Sequence, residues 1–210
     1  MKKLLLLIAI ISSQTIWAQK GEMIFFSLIG KPNFAAAYMV RAKEPGKKVL
    51  LIFHDYWGLN DDLKLEAEKF AAEMPDVTVY VLDFYDGNIA TDTLNANKFM
   101  SNLTDERGMQ IVNGIIGYAG VEKHFATLGS GILGAFWSQQ SAVRLGRSAK
   151  ACVMYYDFPE NNTPIKYYVA PESKRKIQKR YHCKTLGISK NPDYQDAHAI
   201  ILKFLKANLK

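Results

Sequence analysis

The stretch that most constrains the fold is Ala126-Thr-Leu-Gly-Ser-Gly-Ile-Leu-Gly-Ala135. It reads as a short buried strand, a tight glycine turn and the start of a helix that runs on through Val143. A strand that passes through a tight turn straight into a helix must lay that helix back against its own sheet. The chain is therefore expected to be a layered α/β structure.

The rest of the chain repeats this alternation. Phe25–Ile29 and Ala35–Val40 read as two opening strands, split by Gly30-Lys-Pro-Asn33. Val49-Leu-Leu-Ile-Phe53 is apolar at every position, as expected of a parallel strand covered on both faces. After His54-Asp-Tyr-Trp-Gly58, a helix is predicted from about Asn60 or Asp61 to Glu73, with Leu63, Ala67, Phe70, Ala71 and Met74 inward. Val77–Leu82 is the next strand, and it ends at Asp83-Phe-Tyr-Asp-Gly87. Helices are expected near Thr93–Met100 and Thr104–Tyr118, the second with Ile111, Ile115 and Tyr118 inward. Beyond the 126–143 unit come strands at 150–156, Ile165–Ala170 and Tyr181–Ile188, a helix at Glu172–Arg180, and a C-terminal helix burying Ile200, Ile201, Phe204 and Leu205. Strands alternating with helices imply a mostly parallel sheet with helices on both faces.

Residues 1–18 stand apart from this domain. Met1-Lys-Lys is basic, Leu4–Ile11 is apolar, and Ala18 is a small residue after a polar stretch. This is the plan of a signal peptide, and it implies an exported protein, periplasmic or secreted, whose mature chain starts at Gln19. An uncleaved N-terminal anchor is the alternative. Residues 19–210 are read as one domain with no membrane span.

The formal net charge is +7, with late basic residues at Lys174-Arg-Lys176 and Lys179-Arg180. Their helical spacing around Ile177 makes a solvated helix face, or a surface for an acidic partner, and no nucleic-acid motif accompanies it. Cys152 sits in an apolar strand and Cys183 lies close to the last one. They are not expected to pair, because another strand is predicted between them.

In open parallel sheets, ligands bind beyond the carboxyl ends of the strands. His54–Gly58, Asp83–Gly87 and Gly129–Gly134 all fall there. His54-Asp55 has no third partner for a metal, so none is expected. Gly129-x-Gly131-x-x-Gly134 formally matches a dinucleotide turn, but it comes late in the chain and lacks a ribose carboxylate, so no cofactor is expected.

Together, Val49–Phe53, His54-Asp-Tyr-Trp-Gly-Leu-Asn60, Glu66-Ala67, Phe70-Ala71, Leu82-Asp-Phe-Tyr-Asp-Gly87, the Gly129–Gly134 turn and Ala149–Tyr156 leading to Pro159-Glu160 resemble the dienelactone hydrolase family of α/β-hydrolases. The resemblance is good over residues 33–160 and poor over 161–210. It implies an α/β-hydrolase-like sheet and hydrolysis of small lactones and esters by a Cys-Asp-His triad.

The family turn reads Gly-x-Cys-x-Gly-Gly, so matching Gly129 and Gly134 places Gly131 at the nucleophile and Leu133 at a usual glycine. Glycine has no group that can attack a carbonyl. The aspartate segment is missing before Glu172, and the histidine position falls near Leu186. The expectation is therefore a family member whose triad is lost, leaving a binding or structural role. The alternative is a working ester or lactone hydrolase that uses Ser130 or a histidine-activated water, with His182 as the fallback base and His124 and His198 as other candidates. The resemblance also places Asp55 where a family glutamate contacts the thiol. Backbone N–H groups near Tyr56 and Ile132 would form the oxyanion hole. Tyr56, Trp57, Phe84 and Tyr85 would either line an apolar pocket for a small carboxylate, ester or lactone, or simply pack as core.

Overall fold

The structure, a computed structural model, describes residues 20–28, 33–44, 46–155, 184–188 and 194–210. The strands are β1 (Glu22–Ser27), β2 (Phe34–Val40), β3 (Lys48–Phe53), β4 (Val77–Leu82), β5 (His124–Ser130), β6 (Ala149–Tyr155) and β7 (Lys184–Ile188). The helices are α1 (Asp61–Glu73), α2 (Thr93–Asn102), α3 (Asp105–Ala119), α4 (Gly131–Leu145) and α5 (Tyr194–Asn208). The strands form one sheet in the order β1-β2-β4-β3-β5-β6-β7. β1 and β2 run antiparallel to their neighbours, and the pairs from β4 to β7 are parallel.

Alternation along the strands sends successive side chains to opposite layers. Val49, Leu51 and Phe53 pack with Ile111, Ile115, Leu133 and Trp137, beneath α3 and α4. Leu50 and Ile52 pack with Ala67, Phe70, Ile201 and Leu205, beneath α1 and α5. A strand stretch buried on both faces must be apolar, which is why β3 is an unbroken apolar run from Val49 to Phe53.

Local chemistry sets the helix starts. The Asn60 side chain accepts from the Leu63 N–H at 3.0 Å, and Asp61 and Asp62 sit in the first turn, where the helix dipole favours negative charge. Asp92 and Thr104 cap α2 and α3 in the same way. α4 packs on β5 and β6 through a buried hydroxyl: Ser138 Oγ donates to the Val153 carbonyl at 2.9 Å and lies 2.9 Å from Thr127 Oγ1, whose hydroxyl can donate to it.

Several expectations need correction. β1 begins at Glu22 rather than Phe25, because its whole length pairs in register with β2. Ile200 is 45 % exposed and Tyr118 is 46 % exposed, so neither is a core position; Tyr118 lies at the sheet margin against the Phe26 and Tyr80 rings. β7 pairs directly with β6, Cys152 opposite Thr185, so no strand lies between β6 and the last strand. Cys152 is a free, buried thiol, pushed above its ordinary pKa by burial. Cys183, the 165–170 strand, the 172–180 helix with its basic face and the signal segment lie outside the described residues.

Candidate functional site

β3 and β5 lie side by side, with Phe53 opposite Gly129, so the chain leaving each strand meets at the carboxyl edge of the sheet. After β3 comes His54, fully buried. Its Nδ1–H donates to the Asp55 carbonyl at 2.6 Å, and its Nε2 accepts from the Phe84 N–H at 3.1 Å. Only the neutral ring can do both. Burial pushes its pKa down to about 4, so the ring is an uncharged clamp between the β3 and β4 loops and not a base. Asp55 follows, and its Oδ1 accepts from the Trp57 N–H at 2.9 Å, which closes the turn into Gly58.

β5 passes into α4 with no loop between them. Ser130 is extended, at φ −99° and ψ 152°, and its hydroxyl does not cap the helix. Gly131 takes φ +61°, a left-handed conformation that L side chains rarely adopt. The junction is tight: a Cβ on Gly129 would lie 1.8 Å from the Gly134 carbonyl oxygen, and one on Gly134 would lie 2.5 Å from the Phe53 oxygen. A Cβ on Gly131 would instead point at Asp55, 3.0 Å from its Cβ. Gly129 and Gly134 are thus needed for packing, whereas Gly131 marks the strained bend itself.

A cleft of about 460 Å³ opens beside this junction. Asp55, Trp57 and Ser130 form one wall, and Asp62, Glu66 and Lys69 of α1 form another. From the sequence, Glu66 enters only through the family resemblance, and none of these α1 residues is given a place at the site. Their helical spacing, just after the His54–Gly58 loop, was the available signal.

The expected residues divide into two groups. Asp55, Trp57 and Ser130 meet at the cleft. Phe84 and Tyr85 are 3 % and 5 % exposed and belong to the core, where Phe84 packs on Phe53 and Trp137 and Tyr85 packs on His54 and Phe99. Tyr56 and Ile132 are partly buried against the same core, with Tyr56 beside Trp57 at a ring separation of 4.4 Å. Ile132 is the second residue of α4, where a helix leaves backbone N–H groups without internal acceptors.

None of the described histidines lines the cleft. His124 begins β5, roughly 20 Å of strand away from Ser130, and its Nδ1 lies 2.6 Å from the Lys210 oxygen. His198 stacks on Phe70 and reaches Glu73 at 3.1 Å. His182, Glu172 and their neighbours lie outside the described residues. Among the described residues there is no group of three or more His, Cys, Asp or Glu side chains placed to hold a metal.

The dienelactone hydrolase family model matches residues 35–181, which is most of the chain. The chain belongs to the dienelactone hydrolase family.

Solved structures agree on the fold. The chain is similar to one called m3DLH, at 14 % identity and TM-score 0.59, covering 92 % of this chain and 100 % of that one. It is similar to a protein provisionally described as a dienelactone hydrolase from Klebsiella pneumoniae, at 16 % identity and TM-score 0.55, covering 89 % and 81 %. An α/β serine hydrolase without a lid, from Xanthomonas campestris, aligns at 11 % identity and TM-score 0.53, covering 90 % and 94 %. No curated protein matches the sequence significantly. In α/β-hydrolases the nucleophile occupies a strained strand-to-helix turn. In this dienelactone hydrolase family member, the residue with that conformation is Gly131.

Proposed function

We propose that this protein is a non-catalytic member of the dienelactone hydrolase family that binds a small ligand in the cleft beside β5 and α4. The observation that carries the reading is Gly131, a residue without a side chain at the left-handed bend where β5 passes directly into α4. With no side chain at the bend and no described histidine on the cleft, the described residues offer neither the family's thiol nor its base there. The cleft charge refines the ligand. Three carboxylates and one lysine line it, so a neutral ester or lactone is favoured over a free carboxylate. Export through the 1–18 segment belongs to the same proposal and would place ligand capture outside the cytoplasm.

The test is hydrolysis of a panel of small activated esters and lactones by the wild type, Ser130→Ala and Gly131→Cys. Gly131→Cys is made alone and with Asp55→Gly, which removes the Cβ that a new side chain would meet. The expected result is a silent wild type that still binds a neutral ester or lactone, seen by calorimetry. Wild-type turnover above background overturns the reading. Turnover that is also lost in Ser130→Ala would establish the second reading, for which the specific observation is that Ser130 lines the cleft without capping α4.

A further inference from the structure

β1 ends the sheet, and no described strand lies along its outer edge. The direction of its backbone groups can be read from two hydrogen bonds. The Leu28 N–H donates to the Asn33 carbonyl at 2.9 Å, so the even-numbered residues of β1 face β2. Opposite Phe25 lies Ala36, whose carbonyl accepts from the Asp83 N–H at 3.1 Å on the far side of β2. Met23, Phe25 and Ser27 therefore turn their N–H and C=O groups outward.

The side chains on this edge are equally open. Phe25 is 72 % exposed, Phe34 64 % and Met23 43 %. By alternation they share the sheet face that carries Tyr38, which α1 covers over β2 and β4. On the opposite face β1 is covered by α3, where Gly114 lets the Phe26 ring approach. Edge strands ordinarily resist association through a lysine, a proline or a bulge. Glu-Met-Ile-Phe-Phe-Ser has none of these, and its one charge, Glu22, stands at the strand start paired with Arg41 at 3.1 Å.

We infer that a second copy of this chain pairs with the first along β1, antiparallel, about a two-fold axis at Phe25. Directly opposed residues of an antiparallel pair share a face, so the axis must pass a residue and not a gap. Centred on Phe25, every outward group of Met23, Phe25 and Ser27 finds its partner. Centred on Ile24, the pairing would need the Gly21 N–H, which already donates to the Tyr38 hydroxyl at 2.9 Å and to Glu68 at 3.3 Å. The Phe25 register also sets the two Phe25 rings against each other and places Met23 of each copy beside the Ser27–Phe34 row of its mate. This makes one apolar band across four strands.

The size of the interface limits its strength. Each phenyl brings roughly 150–250 Å², and a specific interface buries about 800 Å² per partner. Two rings, a methionine and a strand backbone approach that value from below. The dimer is accordingly reversible, with dissociation in roughly the micromolar range.

The experiment is sedimentation of the purified protein with its native N-terminus, beside Phe25→Lys, together with oxidative cross-linking of Phe25→Cys and Met23→Cys in a Cys183→Ser background. A concentration-dependent dimer is expected, and Phe25→Lys should weaken it at least tenfold with an unchanged circular dichroism spectrum. Phe25→Cys should cross-link, since directly opposed Cα atoms lie about 5.5 Å apart, within disulfide range. Met23→Cys should not, because its mate is offset by four residues, roughly 13 Å. A monomer at ~100 µM overturns the proposal, since a micromolar dimer would be formed there. So does a dimer indifferent to Phe25→Lys, or cross-linking through position 23 in preference to 25. Binding of the patch to phospholipid vesicles without self-association also overturns it.

Discussion

The β-carbon that Gly131 lacks would stand 3.0 Å from the β-carbon of Asp55. These residues are far apart in sequence, and β3 beside β5 brings them together. The contact is closer than ordinary packing, so the bend accepts glycine on two grounds, its φ of +61° and the space that Asp55 fills.

Replacing Gly131 with Ala should therefore destabilise the fold by about 1–3 kcal/mol, from left-handed backbone strain together with the contact. Asp55→Gly in the same chain should recover the contact part and leave the strain. Urea denaturation of the two single variants and the double variant measures the coupling. Strict additivity would mean that the two residues do not touch.

Gly129→Ala is a harsher change. Its Cβ would fall 1.8 Å from the Gly134 carbonyl oxygen, which is backbone and cannot swing aside. The cost should exceed about 4 kcal/mol, in the range of severe core disruption. The expected outcome is loss of soluble, cooperatively folding protein. A variant that melts within a few degrees of wild type would show that β5 and α4 can separate.

His54 should make stability depend on pH. Its folded pKa is about 4, below the ordinary value of 6.5, so the unfolded chain binds the extra proton between these values. The stabilisation is complete above about pH 6.5 and is lost as the pH falls toward 4, an effect on the order of 3 kcal/mol. His54→Gln keeps an acceptor for the Phe84 N–H and removes the titration, so the slope over this window should flatten. Chemical denaturation at stepped pH provides the measurement, and an unchanged slope would place the titration elsewhere.

Tyr38 and Glu68 hold the start of β1. The Tyr38 hydroxyl donates to Glu68, whose residue is 9 % exposed, and both accept from the Gly21 N–H. Tyr38→Phe removes the phenolic partner of a buried carboxylate and should cost about 1–3 kcal/mol. Amide exchange in β1 should rise more than in β3, because the loss is local. Equal loosening of both strands would argue against this.

Much of the architecture was legible in the residues themselves. The unbroken apolar run of β3, the near-continuous run of β4 and the glycine-rich bend at 129–134 announced a parallel sheet with helices packed back on it. Asn60 or Asp61 marked the start of α1, and the structure makes Asn60 the cap. The glycine at the bend was also visible, because spacing from Gly129 to Gly134 is a property of the chain alone. What the sequence left open was which aromatics serve as wall and which as core. Trp57 and Phe84 both follow strands, yet Trp57 borders the cleft while Phe84 lies under Trp137.

That division follows from the range of the interactions. Periodicity and capping act over a few residues and are written in order along the chain. They determined the elements and the glycine at position 131. The cleft depends on strand order, which set Asp55 against the bend and turned Asp62, Glu66 and Lys69 of α1 toward Ser130. The buried, neutral state of His54 likewise required the β4 loop to close over it. Contacts between distant segments are chosen by packing of the whole sheet, and only the tertiary structure decided them.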